Sequence, residues 1–378
     1  MALRVLYLSP YTGGGGAAAL RNYVTLLDGR DVEPSFVFRA PCDFSHEMQD
    51  RGWQVAFDEA LRTVPRSANP AILARHAARS AGCVRRLVRN IRDRGIQIVH
   101  QGCEATLVGG VAARVAGIPA GVQVVGMSIF SPRPVAFTWC QLLRRAFSIV
   151  YCAQDPIVEA LERFHVPSSR LLLLYNSVDT AAIRGAAGRS KPWAEGPLRV
   201  GMVASADARK GAHHLVEAAA RISRARDDVH FHIIGTGRRD NDYAANLANR
   251  VDELGLSDRV HFEGYVSDVP VRLSALDVMV QPSESEALAL AQLEGMALER
   301  PLVVSDVGGN TVAVEHGVTG LVVPPRNPAA LADAILRLLD DPDLRRAMGS
   351  AGRVRVEHLF DSRHNVGRLI NSYHRLVS

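Results

Sequence analysis

Two glutamates eight residues apart, Glu286 and Glu294, sit in the stretch QPSESEALALAQLEGMA that runs from Gln281 to Ala297. An apolar run, Ala275 to Val280, precedes them and reads as a buried parallel strand. Pro282-Ser283 reads as a turn, and the Ala- and Leu-rich remainder as a helix with Glu286 at or just before its first turn. Eight steps along such a helix put the carboxylates about 80° apart around the axis and roughly 12 Å apart along it. That span is close to the reach of a nucleoside diphosphate sugar. One carboxylate can accept hydrogen bonds from sugar hydroxyls and the other from a ribose. Between them the free N–H groups of Ala287, Leu288, Ala289 and Leu290 can receive phosphate oxygens. The same spacing also arises by chance among common surface glutamates, so its meaning depends on the elements around it.

Those elements alternate. Arg4 to Leu8 reads as a strand, Thr12 to Gly16 (TGGGG) as a flexible turn, and a helix follows from about Ala17. Backbone N–H groups at Gly14 and Gly15 can approach a ligand closely there. The contiguous glycines do not form the G-x-G-x-x-G dinucleotide fingerprint, which argues against a nicotinamide dehydrogenase. Strands at Ser35 to Phe38, Gln54 to Phe57, Gln97 to His100, Gly121 to Val125, Ile149 to Cys152 and Leu171 to Leu174 are separated by helical stretches. The beat pauses over Thr180 to Pro197, a linker without strand or helix rhythm. It resumes with strands at Leu198 to Ala204, Val229 to Ile234, Val260 to Glu263, Leu302 to Ser305 and Leu321 to Val323. Alternation of this kind predicts an α/β chain of parallel sheets covered on both faces, in two similar halves with a cleft between them. Gly235 and Gly237, after one of these strands, and Tyr265, after the next, lie where strand-end loops would reach a nucleotide. Tight turns explain the glycines equally well.

A chain of 378 residues with 47% hydrophobic and 22% charged residues exceeds a single typical core and is folded rather than disordered. No apolar run approaches a membrane span, and Met1 to Pro10 has too short a core for a signal peptide. Five scattered cysteines without a C-x-x-C pair argue against structural zinc and a disulfide framework, and for a reducing cytoplasm. The net charge of +5 is mild but uneven: from Arg62 to His100 there are nine arginines against one acid, Asp93. Arg75, Arg79, Arg85, Arg86, Arg89 and Arg92 fall on one predicted helix, Pro70 to Arg94. Its basic face is either a solvated surface or a peripheral contact with anionic lipid headgroups or an anionic acceptor. Without interleaved aromatic residues it does not suggest nucleic acid.

Taken together these residues resemble the two-Rossmann-domain (GT-B) glycosyltransferases, and within them the retaining glycosyltransferase family 4. The resemblance spans nearly the whole chain. Pro282-Ser283, Glu286 and Glu294 match the family's carboxylate motif, and Val200 to Ala204 with Lys210-Gly211 its strand-to-helix segment. Val307-Gly308-Gly309-Asn310 and Gly317 to Leu321 match its glycine turns, Asn176-Ser177-Val178-Asp179 its domain boundary, and Gly117-Ile118-Pro119 also fits.

The resemblance implies an N-terminal acceptor domain over residues 1–180 and a nucleotide-sugar donor domain over 181–360. It also implies a C-terminal helix, 361–378, packing back on the first. The implied activity is metal-independent transfer of a sugar, most often from a uridine diphosphate donor, to a hydroxyl with retention of configuration. The acceptor would be a saccharide, a lipid-linked saccharide or a small molecule. No cofactor is implied, and the location is cytoplasmic, with peripheral contact at the inner membrane surface through the basic helix. In that scheme Lys210 meets the departing diphosphate, Glu294 the ribose and Glu286 the donor sugar.

The chain departs from the family at several points. The phosphate-binding Arg is Ser205 here, leaving Arg209 to supply the charge. The usual glycines are Ala287 and Ala289, and the Glu two positions after Asn310 is Val312. The His near the reacting carbon is replaced by Gly126-Met127-Ser128, leaving His100 as the candidate to take part. Two other readings follow from these departures: a non-catalytic nucleotide-sugar-binding or scaffold homologue, and a nucleotide-sugar epimerase of the same fold.

Overall fold

The computed structural model describes residues 2–12, 14–65, 69–125, 133–188 and 196–378. They form two compact units, one of Met1–Ser177 with Ser362–Ser378 and one of Val178–Asp361.

The first unit alternates strand and helix from its start: β1 (Leu3–Ser9), α1 (Gly14–Val24), β2 (Val32–Phe38), α2 (Asp43–Asp50), β3 (Gln54–Phe57), α3 (Pro70–Arg94) and β4 (Ile98–Gln101). It continues through α4 (Val108–Ala116), β5 (Ala120–Val124), α5 (Arg133–Ala146), β6 (Ile149–Cys152), α6 (Asp155–Arg163) and β7 (Leu171–Leu173). All seven strands are parallel in the order β3-β2-β1-β4-β5-β6-β7. Helix α3 shows why the local sequence folds as it does. Asn69 Oδ1 accepts from the Ala71 N–H at 2.9 Å, Pro70 opens the first turn, and Gly95 closes the helix in the left-handed region. Cys83, Leu87, Val88 and Ile91, spaced along one stripe, are buried against the sheet, whereas Arg75, Arg79, Arg85, Arg86, Arg89 and Arg92 are exposed.

The second unit contains α7 (Thr180–Ala187), β8 (Leu198–Val203), α8 (Ala212–Ala225), β9 (Val229–Ile234), α9 (Asp242–Glu253), β10 (Val260–Gly264), α10 (Val269–Ser274) and β11 (Val278–Gln281). After these come α11 (Leu290–Ala297), β12 (Leu302–Ser305), α12 (Asn310–Ala313), β13 (Gly320–Val323), α13 (Pro328–Asp340) and α14 (Pro342–Leu359). Its six strands are parallel in the order β10-β9-β8-β11-β12-β13. The direction of winding therefore reverses between β8 and β11. Loops leaving the C-terminal ends of these two neighbours diverge toward opposite faces of the sheet and open a crevice there. The last helix, α15 (Ser362–Val377), belongs to the first unit, where Tyr373 and Leu369 are fully buried.

Three expectations about local structure change. The glycine turn is partly helical, since α1 begins at Gly14, so Gly14 and Gly15 occupy its first turn. The linker opens with a helix, α7, whose N-cap Asp179 accepts from the Ala182 N–H at 3.0 Å; residues 189–195 lie outside the described residues. Helix α11 begins only at Leu290, so Glu286 lies in the preceding loop, and Ala287, Leu288 and Ala289 are not helical. The Glu286 carbonyl accepts from the Gly309 N–H (3.1 Å), a partner from another loop in place of a helical one.

Candidate functional site

Glu286 and Lys210 meet at the reversal point. Lys210 follows β8 and Glu286 follows β11, and Lys210 Nζ stands 2.7 Å from Glu286 Oε2. The same oxygen accepts from Gln281 Nε2 at 3.1 Å and Ser283 Oγ at 3.2 Å, and Gln281 Nε2 also donates to Ser283 Oγ at 2.8 Å. With 8% of its side chain exposed, Glu286 is held by three donors on one oxygen. Its Oε1 has no protein partner among the described residues. A carboxylate fixed through one oxygen and open at the other is suited to accept from a ligand hydroxyl.

Backbone packing sets this geometry. Gly211, at φ +76°, lies so close to Pro282 that a Cβ there would fall 1.9 Å from the Pro282 carbonyl oxygen. Gly308, at φ +46°, meets the Glu286 carbonyl oxygen in the same way, and a Cβ on Gly309 would lie 2.4 Å from the Ala287 backbone. The Glu284 N–H donates to the Arg209 carbonyl at 2.8 Å. The loops after β8, β11 and β12 are thus pressed together at positions only glycine can occupy. Beneath them, buried Asn310 donates to the Ser305 carbonyl (3.0 Å) and the Gln281 carbonyl (3.3 Å). A paired substitution separates contact from conformation. Gly211→Ala should cost about 2–4 kcal/mol, measured by urea unfolding, because it adds a clash to a left-handed backbone. Gly255→Ala, at φ +69° with nothing within 4 Å of the added carbon, should cost only about 1 kcal/mol.

Glu294 lies in the second turn of α11. Its carboxylate has no hydrogen-bond or ion-pair partner among the described residues, and burial alone pushes its pKa up to about 7. No side chain caps α11, since the N-cap position is Ala289, so its first-turn N–H groups lack a side-chain acceptor. A half-buried carboxylate without a protein donor and a helix start without a side-chain cap both leave groups that a ligand can satisfy.

The remaining predicted residues are placed as follows. Arg209 lies beside Lys210, but its guanidinium is 2.6 Å from Asp207 and otherwise exposed, and the pairing holds the Asp207 carboxyl below its ordinary range. Ser205 is exposed in the loop after β8. A Cβ on Gly235 would sit 2.9 Å from the Ala204 carbonyl oxygen, and the Gly237 N–H donates to Asp240 at 2.6 Å, so both glycines have structural duties after β9. Tyr265 is 86% exposed.

His100 is a correction. It is fully buried on β4, its ring stacks on Tyr151 at 5.0 Å, and its Nδ1 lies 2.8 Å from Tyr373 Oη. Burial pulls its pKa down to about 3. A ring sealed among aromatic side chains and held neutral cannot touch a substrate, so His100 belongs to the core. Gly126-Met127-Ser128 lie outside the described residues.

Of the two residues that clamp Glu286, Gln281 was not singled out from sequence, and Ser283 was read only as part of the Pro282-Ser283 turn, not as a partner of the carboxylate. The signal was a run of polar residues, Q-P-S, directly after an apolar strand where a solvated turn is the ordinary reading. A second cluster was also missed: His213, His214 and Glu284 bring three potential ligand atoms within 4.8 Å of one another.

Comparison with known proteins agrees with this architecture. A sequence model of glycosyl transferases group 1 matches residues 186–355. The alpha-D-kanosaminyltransferase of Streptomyces kanamyceticus is 32% identical over 293 residues, 70% of this chain and 72% of that protein. The 2-deoxystreptamine glucosyltransferase of the same organism is 29% identical over 308 residues, 72% and 75% of the two chains. Among solved structures, Anabaena Alr3699/HepE in complex with UDP superposes with a TM-score of 0.79 at 21% identity, covering 99% of this chain and 100% of that one. Sucrose-phosphate synthase from Thermosynechococcus elongatus gives 0.75 at 22% identity, covering 99% of each. With two parallel-sheet units of GT-B type, and a relative at this identity aligned over most of both lengths, the chain belongs to the glycosyl transferases group 1.

Proposed function

We propose that this enzyme transfers a hexose-type sugar from a uridine diphosphate donor to an acceptor hydroxyl, with retention of anomeric configuration and without a catalytic metal. The observation that carries the reading is the Lys210–Glu286 pair at the reversal point of the second sheet, with the unpartnered Glu294 carboxylate eight residues further on. Lys210 stabilises the charge that gathers on the diphosphate as it leaves, assisted by the α11 N-terminus, and Arg209 joins it by exchanging Asp207 for phosphate. Glu286 accepts from the donor sugar through Oε1, and Glu294 accepts from the ribose diol. The departing phosphate takes the acceptor's proton on the face from which it leaves, so no protein base is required. His100 has no part. The UDP and UDP-glucose complexes of HepE support the choice of base.

Product analysis tests this directly. With UDP-glucose and a saccharide or aminocyclitol acceptor, the NMR coupling of the new anomeric proton should report an α-linkage, with no added Mg²⁺ or Mn²⁺. A β-product would reject retention. Free epimerised nucleotide sugar would favour the epimerase reading, and donor binding without turnover the non-catalytic one.

The acceptor is a saccharide, lipid-linked or small-molecule hydroxyl. The name of the 2-deoxystreptamine glucosyltransferase points to a small aminocyclitol-type acceptor, and the exposed arginines of α3 to an anionic surface. Among the described residues no helix is long and apolar enough to cross a membrane. Arg86 is bound by Asp58 through two contacts of 2.8 and 2.9 Å, so the available charges are Arg75, Arg79, Arg85, Arg89 and Arg92. Replacing Arg85, Arg89 and Arg92 by Glu should abolish sedimentation with phosphatidylserine vesicles at low salt, each charge contributing about 1 kcal/mol. Wild-type protein that ignores such vesicles would remove the membrane from the account.

A further inference from the structure

We infer that His213, His214 and Glu284 form a binding site for a transition-metal dication of the Zn²⁺ type, distinct from the donor-binding residues. His213 and His214 lie in the first turn of α8, and Glu284 lies in the loop after β11. Adjacent residues on a helix point about 100° apart, yet both imidazoles converge on one oxygen. His213 Nε2 is 3.3 Å and His214 Nε2 is 3.2 Å from Glu284 Oε1. Ligands held at 2.0–2.1 Å from a tetrahedral ion are separated from each other by about 3.3 Å, so these distances need little adjustment.

The surroundings orient the donors. The backbone N–H of His213 donates to Tyr243 Oη at 3.3 Å, and His213 Nδ1 stands 3.1 Å from the same oxygen. An Nδ1–H donating to that hydroxyl leaves the Nε2 lone pair facing Glu284, the arrangement an outer hydrogen bond imposes on metal-bound histidines. Arg326 Nη2 holds the other carboxylate oxygen, Glu284 Oε2, at 2.7 Å and leaves Oε1 to the ion. Two imidazoles and one carboxylate suit zinc, cobalt or nickel, whereas magnesium and calcium prefer oxygen ligands. His213 keeps 35% of its side chain exposed, so an ion can enter and retain a water as its fourth ligand.

Such an ion joins α8 to the β11–α11 loop. It therefore braces the segments that carry Lys210 and Glu286 without contributing to the chemistry between them.

The test uses the whole chain without a polyhistidine tag, freed of metal and titrated with Zn²⁺ against a chromophoric chelator. One ion per chain is expected, unaffected by millimolar Mg²⁺. His213→Ala and His214→Ala should each weaken binding by more than the 10–100-fold, in round terms about 30-fold, expected for Tyr243→Phe. Co²⁺ added to the wild-type chain should give the intense visible bands of a four-coordinate site, a readout that needs no variant to fold. No saturable Zn²⁺ binding, a six-coordinate Co²⁺ spectrum, or equal affinity in both folded histidine variants would each overturn the site. Equal affinity would assign the ion to other histidines.

Discussion

Lys210→Ala should lower kcat by about 10²–10³-fold with either UDP-glucose or another accepted donor, the loss expected when one fixed donor to a developing charge is removed. Two effects contribute, and they can be separated. The first is the missing ammonium at the leaving diphosphate. The second is structural: Glu286 loses the cation 2.7 Å from its Oε2 and keeps only Gln281 and Ser283 as donors. Because Lys210 retains 30% of its side chain in solvent, that cost is moderate, about 1–3 kcal/mol in urea unfolding. The double variant Lys210→Ala/Glu286→Gln should recover most of the stability and none of the activity. Lys210→Arg should restore charge and part of the rate, since its planar fork does not reproduce the position of Nζ. If Lys210→Ala lost this stability yet kept kcat within a few-fold of wild type, Lys210 would be a scaffold residue only.

Glu294→Gln should stabilise the free protein and weaken the nucleotide complex. Burial raises the Glu294 carboxyl to about 7 from an ordinary carboxylate value. The folded state then holds a proton that the unfolded chain has released, over the interval between those two values. In that interval stability falls as pH rises, and above about 7 the full cost of the buried charge is present. Since no side chain satisfies that charge, glutamine removes a cost of order 1–3 kcal/mol at pH 8 and almost none at pH 4. Thermal unfolding of the two proteins across this range should therefore diverge as pH rises. UDP affinity should change the other way, weaker by roughly tenfold at pH 8, because a neutral amide accepts less strongly from the ribose hydroxyls than a carboxylate. Equal pH dependence of unfolding in both proteins would mean that Glu294 is paired or solvated. Unchanged UDP affinity would move the ribose elsewhere. This opposition between stability and binding is the ordinary mark of a ligand site.

Much of the scaffold was readable from residue order, because strand and helix periods differ and the turns are marked by Gly and Pro. The boundaries of β8, β9 and β12 fall within one residue of their sequence reading. Strand order was not readable, since it depends on which strands pair at long range. Only the order β8-β11 shows that the loops carrying Lys210 and Glu286 are neighbours. The helical geometry first assigned to Glu286 failed for a related reason. Its loop is shaped by Gly308 and Gly309, more than twenty residues later, and nothing local to Glu286 records that. Helix α2, with the polar sequence DFSHEMQD, and α10, only six residues long, carry too little periodicity to stand out. His100 misled because an end-of-strand histidine has the same sequence context whether it faces solvent or aromatic neighbours. The Tyr373 that encloses it comes from the far end of the chain.

The central claim is that Lys210 holds the diphosphate of a nucleotide donor, and calorimetric titration of UMP and UDP into wild type and Lys210→Ala tests it most directly. UDP should bind the wild type at least about tenfold more tightly than UMP, and the variant should bind both with nearly the weaker affinity. If UMP and UDP bind the wild type equally, or if the preference for UDP survives the loss of Lys210, the diphosphate is held somewhere else.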